Sequence, residues 1–153
     1  MELEKKLSIP EIRVSFHPGK ELLEMPKISS STDSVIYLMD GFDKDTMALQ
    51  EQFVVMYLNR CNRILGIYKC SVGGITETVA DPRIILGIAL KIASSHIIVS
   101  HNHPSCSLRP SYADEELTRK IKSAAQHFDI KLLDHVIFDP FGNYYSFAEE
   151  GLI

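Results

Sequence analysis

His96-Ile97-Ile98-Val99-Ser100-His101-Asn102-His103-Pro104 is a short apolar, β-branched run that ends in two histidines and a proline. Such a run reads as a buried strand. Side chains two apart on a strand share a face, so His101 and His103 project together, alongside Ile97 and Val99. Pro104 has no backbone N–H and stops the ladder. A little downstream, Ser111-Tyr112-Ala113-Asp114 reads as the opening of a helix with Asp114 in its first turn. Two imidazoles and one carboxylate, with a position left for water, is the donor set of catalytic rather than structural zinc. Each half has a plainer reading. Ser111 with Asp114 resembles a capping box, and two histidines at a strand end can be satisfied polar residues. Brought to one mouth, with no other cluster competing, they point to a metal.

The flanking chain supplies the rest of an α/β (α+β) fold, a mixed central sheet flanked by helices. Before the strand, Asp81 caps and Pro82 starts a helix. Its Ile84, Ile85, Ile88, Leu90 and Ile92 form a wide apolar arc that packs on the sheet. Gly87 inside it costs about 0.8–1 kcal/mol against alanine and is expected to permit a close approach. His96, at odd spacing from His101, lies on the other face and reads as structural. After Ser111 a helix extends to about Phe128, with Leu117, Ile121, Ala124, Ala125 and Phe128 toward the core. Strands follow at 130–138 and 144–147, turned by Gly142-Asn143.

Upstream, Glu51 to Asn59 is apolar on both faces, hence central. The Asn59–Asn62 turn joins it to a second strand around Ile64–Tyr68 as a hairpin, and a further strand is expected at 75–79. A helix begins near Ser31 or Thr32 and runs to about Phe42 on Val35, Ile36, Leu38 and Met39. In the first 30 residues Ile12, Val14 and Phe16 alternate as one half-buried strand, and His17 reads as exposed and inert.

The chain has 153 residues, 45% of them hydrophobic, enough for one domain with a core. A net charge of −4 and a pI near 5.8 leave no basic footprint for a nucleic-acid backbone. Cys61, Cys70 and Cys106 are too few and scattered for a disulfide framework. A reducing, cytoplasmic setting is expected. No apolar run of about 18 residues and no charged-then-apolar leader is present, so neither membrane contact nor export is expected.

These residues also carry a resemblance. His-x-His, seven residues, then Ser-x-x-Asp is met by His101, His103, Ser111 and Asp114. It is similar to the signature of JAMM (MPN+) metalloprotease-like domains and, more narrowly, of the RadC-like JAB domain. Asp81-Pro82-Arg83, His101 to Ser105, Pro110-Ser111, Leu133-Asp134-His135 and Tyr145-Ser146-Phe147-Ala148 match that narrower family. The resemblance covers roughly residues 30–153 and divides the chain into an N-terminal extension (1–30) and a RadC-like JAB/MPN domain (31–153). It implies a JAB/MPN, cytidine-deaminase-like architecture.

It further implies Zn2+ held by His101, His103 and Asp114, with Glu51 outside the metal shell as general base. Without the family, Glu51 is a surface residue at a strand entry. Glu77 is the second choice of base. Ser111 would hydrogen-bond the oxyanion. The implied reaction is hydrolysis of an amide or isopeptide bond in a peptide or an isopeptide-linked protein; spacing alone implies only hydrolysis. If Glu51 begins its strand and His101 follows the end of another, neighbouring strands must run antiparallel.

Other readings are a DNA-repair-associated role, attached to the family name but unsupported by charge, a metal-free MPN scaffold, or a non-haem Fe(II) site. Full-length relatives carry an extra helical, DNA-binding-like segment at the N-terminus, with no counterpart expected here. Where the family usually has glycine this chain has Cys106. A residue with a Cβ is expected to avoid the left-handed region and reroute the loop, and the thiolate could occupy the water position. The preferred reading is a small tolerated side chain. His135 reads as a structural, hydrogen-bonded histidine, with support of the metal site or part of another metal position as the alternatives.

Overall fold

Seven consecutive residues, β1 (Gln52–Leu58), are buried on both faces, the pattern of an inner strand. In the computed structural model, which describes residues 10–11, 15–18, 23–73 and 80–153, β1 pairs antiparallel with β2 (Ile64–Val72) on one side and β3 (His96–Asn102) on the other. Strand β3 lies parallel to β4 (Lys131–Phe138), and β5 (Tyr144–Ser146) pairs antiparallel with β4, giving the order β2-β1-β3-β4-β5. Parallel neighbours need a crossover, and α3 (Tyr112–Gln126) provides it. The mixed sheet with its helices is the expected α+β architecture.

Strand parity assigns the two cores. Phe53, Val55 and Tyr57 of β1, with Ile97 and Val99 of β3, pack on Ile85, Leu86 and Ala89 of α2 (Pro82–Lys91) and on Ile121 and Ala125 of α3. The alternate residues Val54, Met56, Leu58 and Ile98 pack on Leu38 of α1 (Ser31–Leu38), Phe42 and Met47. The sheet is therefore covered on both faces. His101 shares the parity of Ile97 and Val99, so it emerges on the side where α3 begins.

Local signals set the helix ends. Ser30 caps α1 in a reciprocal box with Asp33, and a short 3-10 turn, Met39–Gly41, follows. Asp81 caps α2 through the Arg83 N–H at 2.8 Å, with Pro82 at the first helical position. Strand β3 runs two residues beyond Ser100, and His103 N–H still donates to the Phe138 carbonyl at 2.8 Å. His96 Nδ1 lies 2.5 Å from Asn62 Oδ1, a structural role as expected. His17 is exposed. The alternating strand through Ile12 and Val14, the strand at 75–79 and Glu77 lie outside the described residues. Among the described residues no helix is long and apolar enough to cross a membrane.

Two expectations for α2 are corrected. Ile84 and Leu90 are exposed, so the buried arc is narrower than the apolar one. Gly87 has open space where a Cβ would stand, so no close approach requires it. The glycine that one does require is Gly41, where a Cβ would stand 2.6 Å from Val54 Cγ1 and 2.8 Å from Ile67 Cγ2. Both are short, branched side chains in the sheet. Gly41→Ala is expected to destabilise by about 1–3 kcal/mol, lowering Tm by roughly 2–10 °C, as read by thermal unfolding.

Candidate metal centre

His101, the sixth residue of β3, is 3% exposed at its side chain; His103, just past the strand, is 12% exposed, and Asp114 is 16% exposed. The strand end and the first turn of α3 bring them together. The Nε2 atoms of His101 and His103 are 2.9 Å apart. Asp114 Oδ1 is 3.1 Å from His101 Nε2, and Oδ2 is 3.5 Å from His103 Nε2. Among the described residues these three form the group able to share an ion. Ligands at zinc's usual 2.0–2.2 Å in a tetrahedron stand roughly 3.3 Å from one another. The observed separations bracket that value.

The donor chemistry fits as well. His103 Nδ1 is 2.6 Å from the Ser107 carbonyl, which can only accept, so a proton is held on Nδ1 and Nε2, facing the cluster, is the nitrogen left for an ion. Burial opposes a proton on His103. The hydrogen bond to Asp114, the Ser107 carbonyl and the charges of Asp114 and Glu51 outweigh it, and the imidazole titrates above its ordinary range. Burial likewise opposes charge on Asp114, yet hydrogen bonds from His101, His103 and Ser111 hold its carboxyl well below the usual carboxylate range. The three groups could therefore hold a metal ion.

The capping-box and ligand readings of Ser111 and Asp114 prove compatible. Asp114 Oδ2 accepts from the Ser111 N–H and hydroxyl, both at 2.7 Å, and the Asp114 N–H donates back to Ser111 Oγ at 3.1 Å. The cap holds Oδ2 and leaves Oδ1 facing His101. The positive end of α3 further favours the carboxylate in this turn. In this arrangement the Ser111 hydroxyl proton serves Asp114.

Glu51 immediately precedes β1. The register Phe53↔His101 is antiparallel, as the geometric demand required, and continuing it by two residues sets Glu51 opposite His103. Its charge is felt at His103. Asn102, between the two histidines but on the opposite sheet face, was not singled out in the sequence. Its Oδ1 accepts the Gln52 N–H at 2.7 Å, and its Nδ2 donates to the Met47 and Gln50 carbonyls at 2.7 and 3.0 Å. Gln52 in turn clasps Asp43 and Thr46. These bonds place Glu51 relative to β3. An alternation of ligand, amide, ligand in His101-Asn102-His103 was the available signal.

His135 is fully buried and hydrogen-bonded, as expected, and its partner is the metal-site residue His101, with Nε2 2.8 Å from His101 Nδ1. Burial and the neighbouring His101 push its pKa well below the imidazole norm, so it is neutral. Thr118, one turn along α3 from Asp114, lies 2.6 Å from His135 Nδ1 and was also missed. Asp134 binds the Ser146 hydroxyl at 2.6 Å and the Ala148 N–H at 2.9 Å, while the Phe147 ring stacks on His135 at 4.7 Å. The two quoted motifs at 133–135 and 145–148 are thus one lock around His135.

Cys106 corrects an expectation. It adopts the left-handed region, φ 65°, despite its Cβ, so the loop takes the turn a glycine would. Its Sγ is 3.8 Å from the Pro104 carbonyl and exposed, apart from the converging ligand atoms. Left-handed backbone costs a non-glycine residue roughly 1–2 kcal/mol, partly offset by glycine's greater freedom when unfolded. Cys106→Gly is expected to raise stability by up to about 1 kcal/mol, a Tm gain of roughly 2–4 °C, with metal affinity unchanged in a chelator competition.

A mixed sheet with two histidines at a strand end and an aspartate in the next helix's first turn defines a JAB-type domain. The family model described as the RadC-like JAB domain matches residues 28–152, and the chain belongs to that family. It is 36% identical over 134 residues to a UPF0758 protein of Flavobacterium johnsoniae, covering 88% of this chain and 57% of that relative. It is 40% identical over 130 residues to one from Porphyromonas gingivalis, with 85% and 57% covered. The chain spans little more than half the length of these relatives.

Proposed function

We propose that this domain is a zinc-dependent hydrolase of the JAMM type, a metallopeptidase or isopeptidase that cleaves an amide bond. The observation that carries this reading is the convergence of His101 Nε2, His103 Nε2 and Asp114, 2.9–3.5 Å apart, with Glu51 at the entry to the neighbouring strand close enough to bias His103. Zn2+ held by these three residues would lower the pKa of water from about 15.7 toward 7.

The chain's own residues do the rest. Glu51, just before the adjacent antiparallel strand, accepts a proton at the site and later delivers it to the leaving amine. Asp114 and the two imidazoles compensate charge, and the cap from Ser111 keeps Asp114 in place. The Ser111 hydroxyl would hydrogen-bond the developing oxyanion, while the Ser111 N–H keeps its bond to Asp114; removing such a donor typically costs about 10²–10³ in rate. The substrate in this reading is a peptide or an isopeptide-linked protein, and the three free thiols suit a reducing, cytoplasmic setting.

Elemental analysis of the purified protein, followed by cleavage of a peptide library, tests the proposal. One equivalent of zinc and cleavage that stops on chelation are expected. Protein that takes up no divalent ion, or that cleaves equally well in chelator, would overturn it. Iron in place of zinc would replace hydrolysis by the non-haem reading.

A further inference from the structure

We propose that Thr118 and His135 are positioning residues for metal binding: a buried hydrogen-bond chain from Thr118 through His135 holds His101 with its proton on Nδ1 and its Nε2 lone pair toward the ion. The inference rests on the metal-site reading above and assigns two residues that touch neither the ion nor a substrate.

The argument is a proton count. Thr118 Oγ1 has one proton and two short contacts, the Asp114 backbone carbonyl at 2.6 Å and His135 Nδ1 at 2.6 Å. The carbonyl can only accept, so at that distance the hydroxyl proton must lie between the two oxygens. His135 must then bring its own proton on Nδ1. His135 is fully buried, stacked on Phe147 at 4.7 Å and met edge-on by Phe53 at 5.9 Å. A second proton would charge it in an apolar pocket. Its Nε2 is therefore a lone pair, 2.8 Å from His101 Nδ1. For that contact to be a hydrogen bond, His101 must supply the proton from Nδ1. Its remaining nitrogen, Nε2, stands 3.1 Å from Asp114 Oδ1 and is the one ring nitrogen able to give its lone pair to an ion.

Reversing the chain would put a proton on His101 Nε2 and block ligation. It would also leave the Thr118 hydroxyl and the Asp114 carbonyl oxygens face to face with no proton between them. One turn of α3 thus supplies both the carboxylate ligand, from Asp114, and the group that fixes a histidine ligand, from Thr118. Metal-bound histidines commonly give the other ring N–H to a carboxylate, carbonyl or water. Here a second histidine, closed off by a threonine, takes that part.

The test compares Thr118→Val, which keeps the shape without the hydroxyl, with Thr118→Ser, which keeps the hydroxyl. His135→Gln, whose amide oxygen can stand where Nε2 stood, is the conservative partner. Zinc affinity is read by chelator competition, and ring 15N shifts are read on metal-free protein at mildly alkaline pH. Expected are a pyrrole-type Nδ1 and pyridine-type Nε2 at His101 in wild type and Thr118→Ser. Thr118→Val is expected to bind zinc about 10–100-fold more weakly, with His135→Gln closer to wild type than Thr118→Val.

A His101 protonated on Nε2 in the wild type, or equal affinities in Thr118→Val and Thr118→Ser, would overturn the relay. Should Thr118→Val fail to fold, the ring shifts of wild type and Thr118→Ser decide alone. A wild type that binds no metal sinks the reading of the preceding section, while the ring shifts still judge the relay.

Discussion

Glu51→Gln is expected to lower kcat by about 10²–10⁴, the usual contribution of a positioned general base, while the protein keeps its zinc. Glutamine preserves the shape and the backbone of the strand entry, where the Glu51 carbonyl accepts the Gly73 N–H at 2.8 Å. What it removes is a proton acceptor and a negative charge. That charge helps raise the pKa of His103, so its loss slightly eases metal uptake at low pH. Paired measurements of turnover and bound zinc make the check. Zinc lost together with activity would show Glu51 to be a ligand, and activity retained would remove it from the chemistry.

His103→Ala is expected to lose both metal and activity. Its affinity should fall by more than the roughly 10–100-fold that removing a supporting residue costs. In wild type, free zinc at a hundredfold over its Kd should stabilise by about 2.7 kcal/mol, a Tm rise of roughly 5–10 °C. A hundredfold loss of affinity reduces that to about 0.4 kcal/mol. The same residue sets a pH signature. In metal-free protein the raised pKa of His103 means its contribution to stability is complete below the unfolded value of about 6.5 and fades as pH climbs through the folded value. The ion must displace that proton, so metal affinity and the stability it confers grow over the same window. Unfolding curves with and without zinc should therefore diverge as pH rises; parallel curves would contradict the assignment.

The parts that were legible in the sequence are those governed by local rules. The short apolar runs at 53–57 and 96–100 placed two strands. Asp81-Pro82 and Ser111 with Asp114 marked helix starts through the chemistry of unpaired N–H groups. The His-x-His spacing put both imidazoles on one face because successive strand residues alternate. Where the local rule left a choice, the outcome depended on the neighbour. Cys106 occupies a backbone region its Cβ disfavours because the loop between β3 and α3 demands the turn. Gly87 tolerates a Cβ and Gly41 does not, since only Gly41 is pressed against Val54 and Ile67.

By itself, then, the amino-acid order determined the candidate ligands His101, His103 and Asp114, the elements that carry them and, through family wording, the candidate base Glu51. Only tertiary structure decided that Asn102 anchors the entry to β1, that Thr118 and His135 stand behind His101, and that Asp134 and Phe147 brace His135. The physical reason is range. Strand alternation and helix capping act within about four residues and leave a periodic trace. The supporting contacts between elements join residues 12–55 positions apart, and contacts at that separation leave no period in the chain that makes them.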